Sequence, residues 1–216
     1  QQLAKILRPS AEAIPSAKAI RKELDNELKE CTEEQFHALD AMADNPKNIF
    51  NGPAGCGKTT LAVELARRYQ ETGKAKDTLF LCFNNLLHRS IEEEISLKAP
   101  DVTFSTFHKF LLEQTKLKPN ERDLNQSVFW NEILPETAME MHFNQQLRNF
   151  GYLILDEAQD LFQTNYLDAL DLYLECGFKN SNWNIFGDFT NQDIFSNGEI
   201  SIEDFKSKWA QDFSTF

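Results

Sequence analysis

The chain has 216 residues, 41% hydrophobic and 12% aromatic, which suits one large or two small folded domains and excludes a disordered segment. No run approaches the ~18 continuous apolar residues of a membrane span, and the start, QQLAKILRPS, lacks the apolar core of a secretion signal, so a cytoplasmic chain is expected. The formal charge of -12 excludes a standing basic surface that grips duplex DNA by counterion release; any nucleic acid must lie in a local groove.

Cys31, Cys56, Cys82 and Cys176 form no C-x-x-C pair, and the four histidines show no metal-ligand spacing. Reduced thiols and no zinc centre are expected. In chain order, residues 1–30 carry Pro9, Pro15 and a charged helix-like stretch to Glu30, and read as a helical lead-in from an upstream domain. Because the first residue is Gln1 rather than Met, the chain is expected to begin inside a longer protein or after processing. Residues 31–216 are expected to form the folded domain. TEEQFHAL, Thr32 to Leu39, opens with T-x-x-Q, the spelling of a helix capping box.

Short runs rich in Ile, Val, Leu and Phe follow: NIF (48–50), LFLCF (79–83), VTF (102–104), YLILD (152–156) and NIF (184–186). They are bounded and continuous rather than alternating, which predicts the buried strands of a parallel sheet. Between them Leu61, Leu65, Ala66 and Tyr69 recur at helical spacing, as do Tyr166, Leu170, Tyr173 and Leu174, and these faces are predicted to pack on the sheet. Residues 119–150 break the rhythm and predict a small helical insertion. The expected class is α/β, a parallel sheet flanked by helices.

The strongest chemical signal is GPAGCGKTT, which fits G-x-x-x-x-G-K-[ST] at the end of the first strand run. In such a loop glycines let backbone N–H groups curl around phosphates, and the helix that follows turns its positive end toward them. Gly52, Pro53, Ala54, Gly55, Cys56, Gly57, Lys58, Thr59 and Thr60 are therefore the candidate nucleotide-binding residues. Lys58 is placed to reach the β and γ phosphates and Thr59 to bind magnesium. YLILDEAQD then brings a strand to Asp156 at the carboxyl edge of the sheet, a second magnesium ligand, with Glu157 beside it to deprotonate the attacking water. One acid for the metal and one for water implies hydrolysis rather than transfer to a bulky acceptor.

These motifs resemble the UvrD/Rep-like group of superfamily 1 helicases, and within it the helicase modules that follow a nuclease-related domain. The resemblance covers roughly residues 32–195. DEAQD, Asp156 to Asp160, is a motif II spelling of that group, and it implies that Gln159 and Asp160 couple the nucleotide site to the nucleic-acid path; Asp160 to Gln163 could also cap the next helix. TEEQFHAL resembles the Q motif, which implies that Gln35 reads the adenine edge; as a capping residue it would be spent elsewhere. LFLCFNNLL resembles motif Ia and VTFSTFHKF motif Ib. That implies nucleic-acid contacts by Phe83, Asn85, Thr106, Phe107 and His108, with core packing as the other use of the two phenylalanines. FGDFTNQDIF resembles motif III, whose glutamine senses the γ phosphate, here Gln192. The family spacing is G-D-x-x-Q, and the extra residue before Gln192 leaves Asn191 as a substitute, while Asp188 could simply end a strand.

Helicases of this group hydrolyse ATP between two RecA-like domains, the second supplying arginines that stabilise the transferring phosphate by roughly a thousandfold or more. No arginine follows Arg148 in this chain. The resemblance therefore implies the first, RecA-like P-loop domain of a larger motor: a fragment that binds ATP and Mg2+, hydrolyses poorly alone, and works on single-stranded nucleic acid, DNA ahead of RNA. A second RecA-like domain and an upstream nuclease-like domain are the implied partners, and no membrane. An ATP-gated switch or scaffold of a defence or signalling protein is the alternative, favoured by the acidic charge and the spacing of motif III. A small-molecule kinase shares the phosphate loop but leaves DEAQD and TFHKF unexplained.

Overall fold

The computed structural model describes residues 36, 37, 39, 40, 45–83, 85–120, 126–145, 147–189 and 200–216, the backbone alone at 85–87. The chain divides into two compact units, Gln1–Asp40 and Ala41–Phe216. In the first, the described positions between 36 and 40 are helical, and a His37 ring nitrogen lies 3.8 Å from the Asp40 carboxylate. The expected lead-in at 1–30 and the stretch from Thr32 to Gln35 lie outside the described residues.

The second unit is built on β1 (Lys47–Asn51), β2 (Thr78–Cys82), β3 (Thr103–Thr106), β4 (Tyr152–Asp156), β5 (Asn182–Gly187) and β6 (Ser214–Thr215). They form one sheet in the order β3-β2-β4-β5-β1-β6, every pair parallel. The helices are α1 (Lys58–Glu71), α2 (Asn85–Lys98), α3 (Phe107–Thr115), α4 (Leu134–Gln145), α5 (Thr164–Tyr173), α6 (Gly177–Asn180) and α7 (Ile202–Lys208). The α/β, RecA-like P-loop architecture expected from the motifs is the one observed.

Helices covering both faces of a parallel sheet leave its strands no wet side, which is why their sequences run apolar without alternation. All five positions of β2 are buried, and Phe50 of β1 stacks on Phe186 of β5 with ring centroids 4.3 Å apart. Leu61 and Ala66 of the expected α1 face are buried, Leu65 and Tyr69 partly so. Tyr166, Leu170 and Tyr173 are buried on α5, with Leu174 just past its end. Only β4 keeps the limits of its run: β1 and β5 extend beyond theirs at both ends, β2 starts at Thr78 and stops before Phe83, and β3 starts at Thr103 and runs on to Thr106.

Within the 119–150 segment residues 127–145 are helical, and Phe129–Ile133 form a wide π turn that leads directly into α4. The Tyr166 hydroxyl donates to Asn131 Oδ1 at 2.7 Å, and Asn165 Nδ2 donates to the Asn131 carbonyl at 3.1 Å, fixing this turn on α5. α7 and β6 fall outside the strand runs and helical faces named above. α7 starts with a capping box between Ser201 and Asp204, a signal present in S-I-E-D, and β6 is a two-residue strand on the outer side of β1.

For the site, one feature of the order matters most. β5 lies between β1, which feeds the phosphate loop, and β4, which ends in the acids. At ~4.8 Å per strand, the two strand ends stand about 10 Å apart, room for a polyphosphate between them.

Candidate functional site

The chain leaves β1 at Asn51, turns through Gly52–Gly57 and enters α1 at Lys58. Gly55 and Gly57 take φ of 84° and 85°, the left-handed region that side chains resist, so glycine closes the loop without the strain a side chain would bring there. The first turn of α1 carries no acidic residue and no side-chain cap, so its leading N–H groups remain available to an anion. Lys58 is 8% exposed and folds back over the loop: Nζ donates to the carbonyls of Gly52 at 2.7 Å and Pro53 at 2.9 Å, with Cys56 Sγ at 3.9 Å. Cys56 and Thr60 are exposed, and the Gly52 amide donates to the Gly187 carbonyl at 3.2 Å, joining the loop to the end of β5.

Asp156 is fully buried at the end of β4. Thr59 Oγ1 donates to its Oδ2 at 2.8 Å, while Oδ1 is buried without a hydrogen-bond partner. Burial pushes the Asp156 carboxyl up to about 6, and the Glu157 charge acts the same way; the Thr59 hydroxyl, the Glu157 amide and Lys58 oppose them. An unsatisfied buried carboxylate oxygen is costly, and a bound cation removes that cost. The donors are hard oxygens, and among the described residues no group of three or more His, Cys, Asp or Glu could hold a metal alone. That set fits magnesium, which takes one or two protein oxygens and completes its shell with phosphates and water.

Glu157 sits at φ 54° and ψ 42°, a left-handed conformation that costs a glutamate on the order of 1 kcal/mol and that recurs at functional sites. Gln159 Nε2 donates to Glu157 Oε2 at 2.8 Å, and Gln159 Oε1 accepts the Asp188 backbone N–H at 3.1 Å. A cleft of about 390 Å³ opens here, lined by Ala54, Gly55, Gly57, Lys58 and Thr59 on one side and by Glu157, Gln159 and Asp188 on the other. Its size is that of small-molecule sites.

The expected nucleic-acid residues are arranged differently. Phe107 is 0% exposed and packs on Tyr166 with centroids 4.6 Å apart, which corrects its expected role as a base-stacking residue: a ring inside the core offers no face to a base. Thr106 is buried and caps α3, accepting the Lys109 N–H at 3.4 Å. His108 is half-buried, edge-on to Phe83 and Trp130, with Nε2 3.1 Å from the Tyr166 hydroxyl. Because that hydroxyl donates to Asn131, Nε2 carries the proton that His108 donates. Burial brings His108 down to about 4, so the ring is neutral at pH 7. Phe83 is half-buried, Asn85 opens α2, and Gln35, Asn191 and Gln192 lie outside the described residues.

Sequence reasoning missed the Asp188 amide as the partner of Gln159, because a backbone donor leaves no mark in a sequence. It also missed Asn51, whose Oδ1 accepts the Phe189 N–H at 2.9 Å; a polar residue ending an apolar strand was the available sign.

The sequence profile of the AAA domain family matches residues 35–178, well over half of the chain, taking in the phosphate loop and the acids after β4. The chain belongs to the AAA domain family. The matched segment ends within α6, before β5. No curated protein matches the chain. Solved structures similar to it include the Sulfolobus solfataricus SWI2/SNF2 ATPase core in complex with dsDNA, 17% identical with a TM-score of 0.45, covering 85% of this chain and 38% of that one. Another is Bacteroides sp Pif1 in complex with ADP-AlF4, 20% identical with a TM-score of 0.36, covering 81% of this chain and 35% of that one. This AAA domain chain thus spans little more than a third of either.

Proposed function

We propose that the chain is the ATP-binding and hydrolysing motor domain of a superfamily 1 helicase or translocase of the UvrD/Rep-like group. It works with a second RecA-like domain on single-stranded nucleic acid, DNA ahead of RNA, in the cytoplasm and next to a nuclease-like domain. The observation that carries this is the bond from Thr59 to Asp156 with Asp156 Oδ1 left unsatisfied, directly beside the phosphate loop. Among the described residues no helix is long and apolar enough to cross a membrane.

ATP enters with its phosphates against the first turn of α1. Lys58 exchanges the Gly52 and Pro53 carbonyls for the β and γ phosphate oxygens, a charge-assisted bond replacing a neutral one. Asp156 and Thr59 hold magnesium, which supplies charge neutralisation at the phosphates. Glu157 accepts the proton of the attacking water. Gln35 reads the adenine, and Gln192, with Asn191 as its substitute, senses the γ phosphate. Phe83 and Asn85 contact the strand, and Thr106, Phe107 and His108 support them from within. Without arginines from the second domain, turnover by this chain is slow.

The test is Mg-ATP binding and turnover by the chain with and without single-stranded DNA or RNA, beside Lys58→Ala. Affinity is expected to fall about tenfold or more in Lys58→Ala; unchanged affinity overturns the assignment of the loop. The inward packing of Phe107 favours one second reading, an ATP-gated switch or scaffold with no strand contact. It requires nucleotide-dependent association and turnover that ignores single strands.

A further inference from the structure

Gln159 reaches both walls of the cleft at once. Its Nε2 donates to Glu157 Oε2 at 2.8 Å and to Asp160 Oδ2 at 3.3 Å, while its Oε1 accepts the Asp188 N–H at 3.1 Å. A carboxamide offers two donor hydrogens and an acceptor, and all are used here. The surroundings are shaped to this side chain. A Cβ at Gly187 would lie 3.1 Å from Gln159 Oε1 and 2.7 Å from the Phe189 ring, so residue 187 leaves the space Gln159 needs. Phe189 is fixed in turn, its N–H on Asn51 Oδ1 and its ring 4.7 Å from Phe162. On the other side Glu157 is held at φ 54°, where its carboxylate meets the Gln159 amide.

We propose that Gln159 is the positioning residue of the site, holding the Glu157 carboxylate in place and tying its orientation to the backbone that leaves β5. This rests on ATP hydrolysis with Glu157 as the proton acceptor. Gln159 engages one lone pair of Oε2, and the carboxylate keeps others, on both oxygens, to take the proton from water. Gln159 acts only through Glu157. Whatever shifts the Asp188 backbone therefore changes the rate of hydrolysis without touching a phosphate, since misplacing a reacting group by about 1 Å costs on the order of a hundredfold.

The test needs two readouts. In the nucleotide-free chain, hydrogen exchange of the Asp188 amide is expected to quicken about tenfold or more in Gln159→Ala while the Ile185 amide inside β5 is unchanged. Gln159→Glu keeps the acceptor for Asp188 but loses the donor to Glu157, so protection is expected to stay while turnover falls. With radiolabelled ATP followed over hours, both variants are expected to lose about tenfold or more in kcat with nucleotide Kd held within about twofold. Gln159→Ala is expected to add nothing to Glu157→Gln, as for residues acting as one unit. Wild-type Asp188 exchange in Gln159→Ala overturns the positioning role, as does an equal kcat loss with and without Glu157→Gln. If Glu157→Gln turns over ATP at the wild-type rate, hydrolysis through Glu157 fails and the positioning role with it. If Glu157→Gln is slow and Gln159→Ala is not, only the positioning role fails.

Discussion

The Thr59 hydroxyl donates to Asp156 Oδ2 at 2.8 Å, joining the first turn of α1 to the end of β4 across 97 residues of sequence. It gives a fully buried carboxyl a single side-chain partner and leaves its other oxygen unsatisfied. Asp156 is therefore a stability defect that a bound cation would repair.

The sign of that defect follows from the direction of the shift. The carboxyl titrates near 6 in the fold against an ordinary value of 3.8, so the native state binds its proton more tightly than the unfolded chain. Its contribution is most favourable below about pH 4 and is lost as pH rises through about 6. Asp156→Asn keeps an acceptor for Thr59 and removes the charge, so it is expected to be more stable than wild type at pH 7 by on the order of 2 kcal/mol, the gap closing below pH 4. Thermal unfolding against pH in magnesium-free buffer measures this, and added Mg-ATP should stabilise only the wild type.

His108 has the opposite slope. Burial lowers it to about 4 from 6.5, so the native state disfavours its charged form, and stability is expected to fall as pH drops from about 6.5 toward 4. Between pH 4 and 6 the two groups nearly cancel in the wild type. The His108 slope emerges only in Asp156→Asn, whose unfolding midpoint should fall steadily with acid over this window.

Tyr166→Phe removes the hydroxyl that stands between His108 and Asn131 and leaves the His108 Nε2 proton without an acceptor. The expected cost is about 1–3 kcal/mol by denaturant unfolding. If Thr106 to His108 act as internal support, nucleotide affinity stays within about twofold of wild type. A large loss of nucleotide binding would contradict the placement of this cluster away from the cleft.

Glu157→Gly relieves a left-handed backbone and is expected to stabilise the fold by about 1 kcal/mol or less, because glycine's extra freedom when unfolded offsets part of the relief. The same change removes the proposed proton acceptor. A higher unfolding midpoint joined to lost turnover is the expected pair of results; a lower midpoint would mean that the Gln159 contact outweighs the strain.

Much of this was legible in the sequence. A parallel sheet makes its strands uniformly apolar, so YLILD and LFLCF could be read without any structure. A phosphate loop needs glycine at fixed places, so GPAGCGKTT could be read too. The motif TFH left two uses open for Phe107. Its residues are spaced as a nucleic-acid motif, but the turn from β3 into α3 sends Phe107 into the core, and a phenylalanine carries no mark saying which side of a helix it will face. The role of Gln159 was only half visible: Glu157 and Asp160 are its sequence neighbours, whereas Asp188 meets it through a backbone amide brought there by β5. β6, with two residues, is too short to show a pattern at all.

The strand order also dictates when the phosphate loop can exist. β1 pairs only with β5 and β6 among the described strands, Lys47 opposite Trp183 and Ile49 opposite Thr215. Both of these strand partners come from the far end of the sequence. While β2, β3 and β4 can assemble as soon as they are synthesised, the strand that roots the loop has nothing to bind until residues beyond 182 leave the ribosome. Such long-range closure is slow, and it exposes an apolar strand in the meantime. The nascent chain should therefore gain nucleotide binding late and all at once, and chaperones that shield apolar strands should matter most for the stretch around Asn48–Phe50.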